Sequence, residues 1–368
     1  MSTHDKYSSP VERENWSVPM AGESRFTWEY DDGRAKLLAL YQKGKDKQWD
    51  QTTRIDWSLP LDVTNPLDLP QEAVPIFGSR TYDKIKDDPD ELGRLAQHLT
   101  AWQFSQFLHG EQGAMICAAR ISESVPDLDA KFYAATQVMD EARHAETYAR
   151  FLQDKVQLLY PINKHLKLLL EQTLSDSRWD MPYLGMQVLI EGVALAAFGL
   201  LRDLTKVALP RQILAYIMQD EARHVAFGRL ALRDYYAQLS DAERAEREEF
   251  VVEGCYLLRD RFDAEEVWET LGYDVAECTA HVDRSPLTRT YRSLLFTRIV
   301  PCVKDIGLWG PKVQAAYADM GVTGYASTDL SALMKSDEDL AEKIDEEKRL
   351  AARKQEIADV IRLGAAES

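Results

Sequence analysis

The stretch Asp140-Glu141-Ala142-Arg143-His144 recurs letter for letter as Asp220-Glu221-Ala222-Arg223-His224, 80 residues further on. Each copy follows another glutamate at a fixed distance: Glu111 stands 30 residues before Glu141, and Glu191 stands 30 residues before Glu221. A repeat of this kind is one supersecondary unit used twice. On a helix, positions i and i+3 share a face, so Glu141 with His144, and Glu221 with His224, each present a carboxylate and an imidazole in one direction. A turn near Ser124 to Asp127 falls midway between Glu111 and Glu141, and a turn near 204–210 does the same for the second pair. Two antiparallel hairpins folded there bring four carboxylates and two imidazoles into one bundle interior.

The surrounding pattern supports that geometry. From Asp90 onward the chain has few prolines and long helical periods, at about 90–123, 127–157, 162–174, 181–206, 209–239 and 241–271, with shorter ones near 287–300 and 311–320. No alternating strand pattern of comparable strength is present, so the fold is expected to be all-α. The expected organisation is an N-terminal arm over residues 1–90, a four-helix bundle over 91–240, additional helices of the same domain over 241–335 and a charged tail over 336–368. The arm carries Pro10, Pro19, Pro60, Pro66, Pro70, Pro75 and Pro89 between Trp16, Phe26, Trp28, Tyr30, Trp49 and Trp57, whose expected role is packing on the core. One helix, from about Arg34 to Gly44 behind an Asp31/Asp32 cap, interrupts it. The tail reads as a solvated helix.

A buried quartet of carboxylates cannot stand alone. Burying one ionised carboxylate costs several kcal/mol even after relaxation, and four repel one another. Two divalent cations cancel the four charges. Oxygen-rich ligation with one nitrogen per metal suits iron or manganese. The expected site is therefore dinuclear, with Glu111, Glu141 and His144 on one metal, Glu191, Glu221 and His224 on the other, and some glutamates bridging. The expected cofactor is two iron ions, with a manganese/iron pair equally compatible. His4, His98, His109, His165 and His281 have no such partners. His109 lies two residues before Glu111 and faces elsewhere.

One Glu from each of two helices plus Glu-x-x-His from the other two resembles the ferritin-like di-iron carboxylate pattern. The longer form Asp-Glu-x-Arg-His is similar to the soluble di-iron oxygenases, namely the hydroxylase components of bacterial multicomponent monooxygenases, and more distantly to acyl-carrier-protein desaturases and ribonucleotide reductase small subunits. The likeness covers about residues 100–235. It implies a ferritin-like bundle in which Asp140 orients His224 and Asp220 orients His144, with Arg143 and Arg223 balancing them. It also makes Tyr148, four residues after His144, a candidate redox residue, because the position resembles the radical tyrosine of the reductases; the matching position after His224 is Gly228. N-oxygenases of this superfamily add a histidine one turn before the second Glu-x-x-His. Here that position is Ile217, a departure that weakens the N-oxygenase reading.

At helical spacings from Glu111 stand Phe107, Ala114, Met115 and Ala118, and from Glu191 stand Ala194, Leu195 and Phe198. This small, apolar wall suits dioxygen and an apolar or aromatic small substrate. The resulting expectation is an oxygen-dependent oxidoreductase, a hydroxylase, N-oxygenase or desaturase. The competing readings are a ferroxidase or iron-handling protein, and a radical-generating subunit built on Tyr148. The sequence has no Gly-x-Gly-x-x-Gly fingerprint and no cysteine cluster, since Cys117, Cys255, Cys278 and Cys302 lie far apart. Electrons are therefore expected from a separate reductase or ferredoxin.

Composition sets the outer limits. The chain has 368 residues, 45% of them hydrophobic, and a formal charge of −17 without a basic block, which disfavours nucleic acid and anionic membranes as general partners. The apolar runs around Val193 to Leu201 and Leu294 to Val303 are shorter than the roughly 18 residues a bilayer span needs. The N-terminus lacks an apolar leader, so a cytoplasmic location is expected. The helical surfaces, 241–271 among them, are compatible with a homodimer.

Overall fold

Short, capped turns fold the long helices back on themselves. The structure is a computed structural model and describes residues 3–9, 16–31 and 33–366; Pro10 and Asp32 lie outside them. Helix α1 spans Ala35–Asp46, α2 Pro89–Ser124, α3 Leu128–Arg150, α4 Lys164–Ser175, α5 Glu191–Leu204, α6 Ala208–Tyr236, α7 Asp241–Asp260 and α8 Leu330–Ala366. Asp88 caps α2 through the amides of Asp90 and Glu91, with Pro89 at the first helical position. Asp127 accepts from Ala130 N at 2.8 Å and starts α3 only three residues after α2 ends. Helices α5 and α6 are joined equally tightly, by residues 205–207. The two hairpins α2/α3 and α5/α6 form the bundle. Among the described residues the backbone is helical apart from turns, irregular connections and one isolated bridge between Tyr7 and Leu159.

Two π-helical segments depart from regular geometry. Tyr183–Ile190 runs directly into α5, and Phe151–Val156 continues α3 until Gln157, whose φ of 61° ends it. The extra residue in a π turn shifts the register of the helix beyond it, so Tyr183–Ile190 sets the direction in which Glu191 leaves the backbone. Opposite it, Gly228 of α6 leaves room for Gln187: a Cβ there would sit 2.5 Å from Gln187 Cβ. The symmetry-related position, Tyr148, is filled by a buried ring.

Several expectations change. The helix expected over 241–271 breaks after Asp260, passes through a short turn at Arg261–Asp263, and resumes at Glu265–Leu271 once Ala264 has adopted a left-handed φ of 52°. Among the described residues helix α1 has no aspartate cap of its own. Its cap residue is Arg34, and the amides of Gly33 and Arg34 donate instead to Asp129 of α3 at 3.1 and 2.6 Å. The arm holds further short helices at Gln51–Arg54 and Arg80–Ile85. Its aromatics divide: Trp49 and Trp57 pack on the core, whereas Phe26, Trp28 and Tyr30 are 86%, 79% and 70% exposed and Trp16 is 41% exposed. The stretch carrying the exposed ones is tied down through backbone and polar groups, as in Arg25 N to Glu123 O at 2.9 Å.

The tail does not remain solvated along its first turns. Leu330, Ala341 and Ile344 are buried, and Asp337 reaches Arg202 at 3.1 Å and Arg298 at 2.6 Å. One segment is also longer and more apolar than the sequence pattern suggests: Tyr183–Leu204 has a mean hydropathy of 1.9, enough for a span, but 83% of that window is buried inside the protein. Its apolarity serves the bundle interior, where a helix is hydrophobic all round.

Candidate metal centre

All six candidate ligands converge at the middle of the bundle. Glu111 comes from α2, Glu141 and His144 from α3, Glu191 from the first turn of α5, and Glu221 and His224 from α6. Glu111 is 5% exposed and the other five 3% or less. The donor atoms form two overlapping groups, Glu111, Glu141, His144 and Glu221, and Glu141, Glu191, Glu221 and His224. Within each group the atoms lie within 4.8 Å of one another. Glu141 and Glu221 belong to both, the geometry of bridging carboxylates.

Both imidazoles turn Nδ1 toward the glutamates. His144 Nδ1 is 3.0 Å from Glu221, 3.3 Å from Glu141 and 3.4 Å from Glu111. His224 Nδ1 is 3.1 Å from Glu141 and 3.5 Å from Glu221. Their Nε2 atoms point outward, His144 to Asp220 Oδ2 at 3.0 Å and His224 to Asp140 Oδ2 at 3.2 Å. An Nε2–H donated to aspartate leaves the Nδ1 lone pair facing inward, the tautomer a ligand requires.

Burial and the charge of Glu221 push Glu111 and Glu191 well above the ordinary carboxylate range. Glu141 goes the other way: despite the burial that opposes ionisation, His224 and His144 hold it below that range. His144 and His224 are also raised against burial, His144 through hydrogen bonds headed by Asp220, His224 chiefly by the charges of Glu141 and Glu221. The cluster thus balances its excess negative charge by holding protons. Glu141 Oε2, Glu191 Oε2, both Glu221 carboxylate oxygens and His224 Nδ1 are buried without a hydrogen-bond partner. Unpartnered carboxylate and imidazole atoms converging on one point fit cations once the protons leave. Two divalent ions held there would neutralise the four glutamates, while Arg143 and Arg223 neutralise Asp140 and Asp220.

That outer network is tightly knit. Arg143 Nη2 is 2.5 Å from Asp140 and 2.9 Å from Asp220, and Arg223 Nη2 is 2.5 Å from Asp220 and 3.6 Å from Asp140. Despite full burial, Arg223, His144 and Arg143 hold Asp220 well below the usual range. Three members escape a reading of the motif. Trp49 Nε1 donates to Asp220 Oδ2 at 2.7 Å, Gln48 Nε2 donates to Asp140 Oδ1 at 2.8 Å, and Gln137 Nε2 donates to both Glu141 and Glu191 at 2.9 and 2.8 Å. Gln137 was findable, because it sits one turn before Glu141 on the same face. Gln48 and Trp49 come from the arm, about 90 and 170 residues away in sequence, and no spacing rule reaches them.

A narrow pocket of about 30 Å³ opens onto Glu111, Glu191 and Glu221. Phe107, Ala114, Ala194 and Phe198 line it; Met115, Ala118 and Leu195, also expected there, do not. Tyr148 stands behind this wall. Its ring lies 5.7 Å from that of Phe107 and 5.9 Å from that of Phe198, and its hydroxyl is buried without a hydrogen-bond partner. Burial, then the charges of Glu111, Glu221 and Glu141, push that hydroxyl far above its usual range. His109 is turned away, with Nε2 2.9 Å from Tyr160 O, and Ile217 is fully buried.

A family model described as p-aminobenzoate N-oxygenase AurF matches residues 31–307. The likeness extends over most of the chain although the additional histidine, whose position is Ile217 here, is absent. No curated protein matches the sequence. Among solved structures, an R2-like ligand-binding oxidase with a reconstituted Mn/Fe cofactor is 18% identical, covering 77% of this chain and 96% of its own, with a TM-score of 0.45. A protein with aldehyde deformylating oxidase activity from Synechococcus is 15% identical, covering 60% and 94%, with a TM-score of 0.43.

Proposed function

Because the chain belongs to the p-aminobenzoate N-oxygenase AurF family, we propose that within the oxygen-dependent di-iron chemistry of that family it oxidises the amine nitrogen of a small aromatic substrate, with electrons supplied by a separate redox protein. The observation that carries this reading is the apolar cavity that ends on three of the candidate ligands, Glu111, Glu191 and Glu221. Glu111, Glu141, His144, Glu191, Glu221 and His224 would hold the metals. Two bound ferrous ions supply the electrons and open coordination positions needed to activate dioxygen.

The residues of the chain have separate tasks around that chemistry. Phe107, Phe198 and Leu166 make the approach apolar, and Ala114, Ala194 and Ala197 keep the side chains beside it small. Gln137 holds Glu141 and Glu191 in register from a fully buried position. Asp140 and Asp220 each retain one imidazole proton on Nε2, so that the opposite nitrogen stays available to a cation. Ile217 makes the second group poorer by one nitrogen donor than an N-oxygenase site with the additional histidine.

The test is a single-turnover experiment on protein loaded with ferrous iron, chemically reduced and mixed with oxygen and 4-aminobenzoate, with products identified by mass spectrometry and labelled oxygen. A hydroxylamine, nitroso or nitro product carrying the label is expected. Ring hydroxylation alone would assign a C-hydroxylase, and continued accumulation of ferric mineral without product would assign iron storage.

A further inference from the structure

Helix α8 begins at Leu330, beyond residues 31–307 that match the family model, yet one end of its docked part reaches the outer network of the metal centre. Glu338, Glu342 and Asp345 follow one another at four and three residues and so share a face of the helix. Each meets a cation of the arm. Glu338 lies 2.7 Å from Lys43 and Glu342 2.8 Å from Lys47, both on α1, and Asp345 lies 2.9 Å from Arg54. Lys348, one turn on, donates to the Arg54 carbonyl oxygen. From Arg349 to Glu356 the residues are exposed, so the packing of α8 on the body runs out at Arg54.

Arg54 joins that row to the centre. It closes the short helix Gln51–Arg54, whose cap, Asp50, directly follows Trp49. The nitrogen that pairs with Asp345 also donates to Gln219 Oε1 at 2.9 Å. The guanidinium carbon lies 4.0 Å from the centre of the Tyr216 ring and 5.6 Å from that of Trp49. Tyr216 in turn donates to Asp345 Oδ1 at 2.7 Å, so one carboxylate of α8 holds both the cation and a ring it lies over. The Trp49 indole donates to Asp220 Oδ2 at 2.7 Å, and the same oxygen lies 3.0 Å from His144 Nε2. The path from α8 to a ligand imidazole is therefore continuous: Asp345, Arg54, Trp49, Asp220, His144.

An indole has a single donor, and that donor points where the ring plane points. A cation near the ring face fixes the plane, and a planar guanidinium can do so while holding a carboxylate and an amide at its edge, which an ammonium cannot. Without Asp345, Arg54 keeps Gln219 but loses the charge that holds it over the rings. We propose that α8 is a strap whose docked end positions Trp49, with Asp345 and Arg54 as positioning residues that act on His144 through Trp49 and Asp220. The effect on metal binding rests on the proposed function; the positioning of the indole does not.

The test follows the Trp49 indole N–H by NMR in the full-length, metal-free protein with isotopically labelled tryptophan, its resonance identified by its absence in Trp49→Phe. Hydrogen exchange is compared in wild type, Asp345→Asn, Arg54→Met and Arg54→Lys. The indoles of Trp102 and Trp268, which donate to Glu266 and to the Asp263 carbonyl oxygen, are controls in the same spectra. Exchange at Trp49 is expected to accelerate about tenfold in Asp345→Asn and Arg54→Met, and less in Arg54→Lys, with the controls unchanged. On ferrous titration the same variants lower affinity at the position held by His144 by about two- to tenfold, less than loss of a direct partner, and leave the position held by His224 as it was. In a Trp49→Phe background Asp345→Asn adds no further loss. Unchanged exchange at Trp49, equal acceleration at Trp102 and Trp268, or additive losses in the double variant overturn the proposal. Should Arg54→Met fail to fold, Asp345→Asn decides, since that side chain is 31% exposed. A wild type that binds no iron would remove the proposed function and leave the exchange test standing.

Discussion

Replacing Asp220 by Asn tests the charge balance around the metals at its most connected point. Asp220 is fully buried; its Oδ2 accepts from Trp49 at 2.7 Å, Arg143 at 2.9 Å and His144 at 3.0 Å, and its Oδ1 accepts from Arg223 at 2.5 Å. Asparagine keeps one acceptor, places an amide N–H₂ against a guanidinium, and removes the charge that both arginines share. Losing one partner of a buried ion pair costs about 3–5 kcal/mol. Asp140 still holds Arg143 at 2.5 Å and stands 3.6 Å from Arg223, which places Asp220→Asn near the lower end. The metal-free variant should therefore unfold with about 3 kcal/mol less stability in urea. Loss of an orienting hydrogen bond to a ligand imidazole weakens metal binding about 10–100-fold, or about 1.4–2.7 kcal/mol. The effect should fall on the position held by His144, with Asp140→Asn doing the same at the position held by His224. Anaerobic ferrous titration followed by Mössbauer spectroscopy resolves the two positions. Equal loss at both positions in either variant, or wild-type affinity at both, would refute the cross-bundle role of these aspartates.

Metal loading should release protons. In the metal-free protein Glu111, Glu191, His144 and His224 all hold protons above their ordinary values, whereas Glu141 is already ionised. Because cations require the deprotonated ligands, affinity rises with pH and binding acidifies a weakly buffered solution; an indicator dye that shows no release contradicts the assignment. Trp49→Phe, which removes only the indole donor to Asp220, should lower iron affinity by up to about tenfold with little change in helix content, measured by dialysis and circular dichroism. Asp337→Ala leaves Arg298 buried without its carboxylate while Arg202 keeps Asp203 at 2.8 Å, and should lower stability by about 3 kcal/mol. Limited proteolysis should then cut α8 first. Glu191→Ala should lose metal while the bundle persists, and an unchanged iron-to-protein ratio would remove Glu191 from the ligand set.

The central bundle was legible because its information is local and repeated. Two identical five-residue motifs, each 30 residues after a glutamate and with a turn signal midway, specify helix faces and hairpin registers without long-range knowledge. What escaped depends on contacts that no period encodes. Trp49 and Gln48 reach the aspartates from the arm, and the break after Asp260 occurs within a stretch whose polar and apolar residues continue a helical period. The exposure of Phe26, Trp28 and Tyr30 was equally invisible, since an aromatic in an irregular segment reads the same whether it packs or points outward. Tyr183–Leu204 reads as too short for a span because Glu191 and the Arg202-Asp203 pair punctuate it, although one of these charges belongs to the buried site. Ile217 stands where N-oxygenases of this superfamily add a histidine, and the pattern of residues 31–307 matches the family without it.

The most direct test of the account is anomalous diffraction from crystals of anaerobically iron-loaded protein. It should show two iron peaks per chain, one among Glu111, Glu141, His144 and Glu221 and the other among Glu141, Glu191, Glu221 and His224, with both histidines bound through Nδ1. A single peak, no peak, or iron held outside this cluster would contradict it.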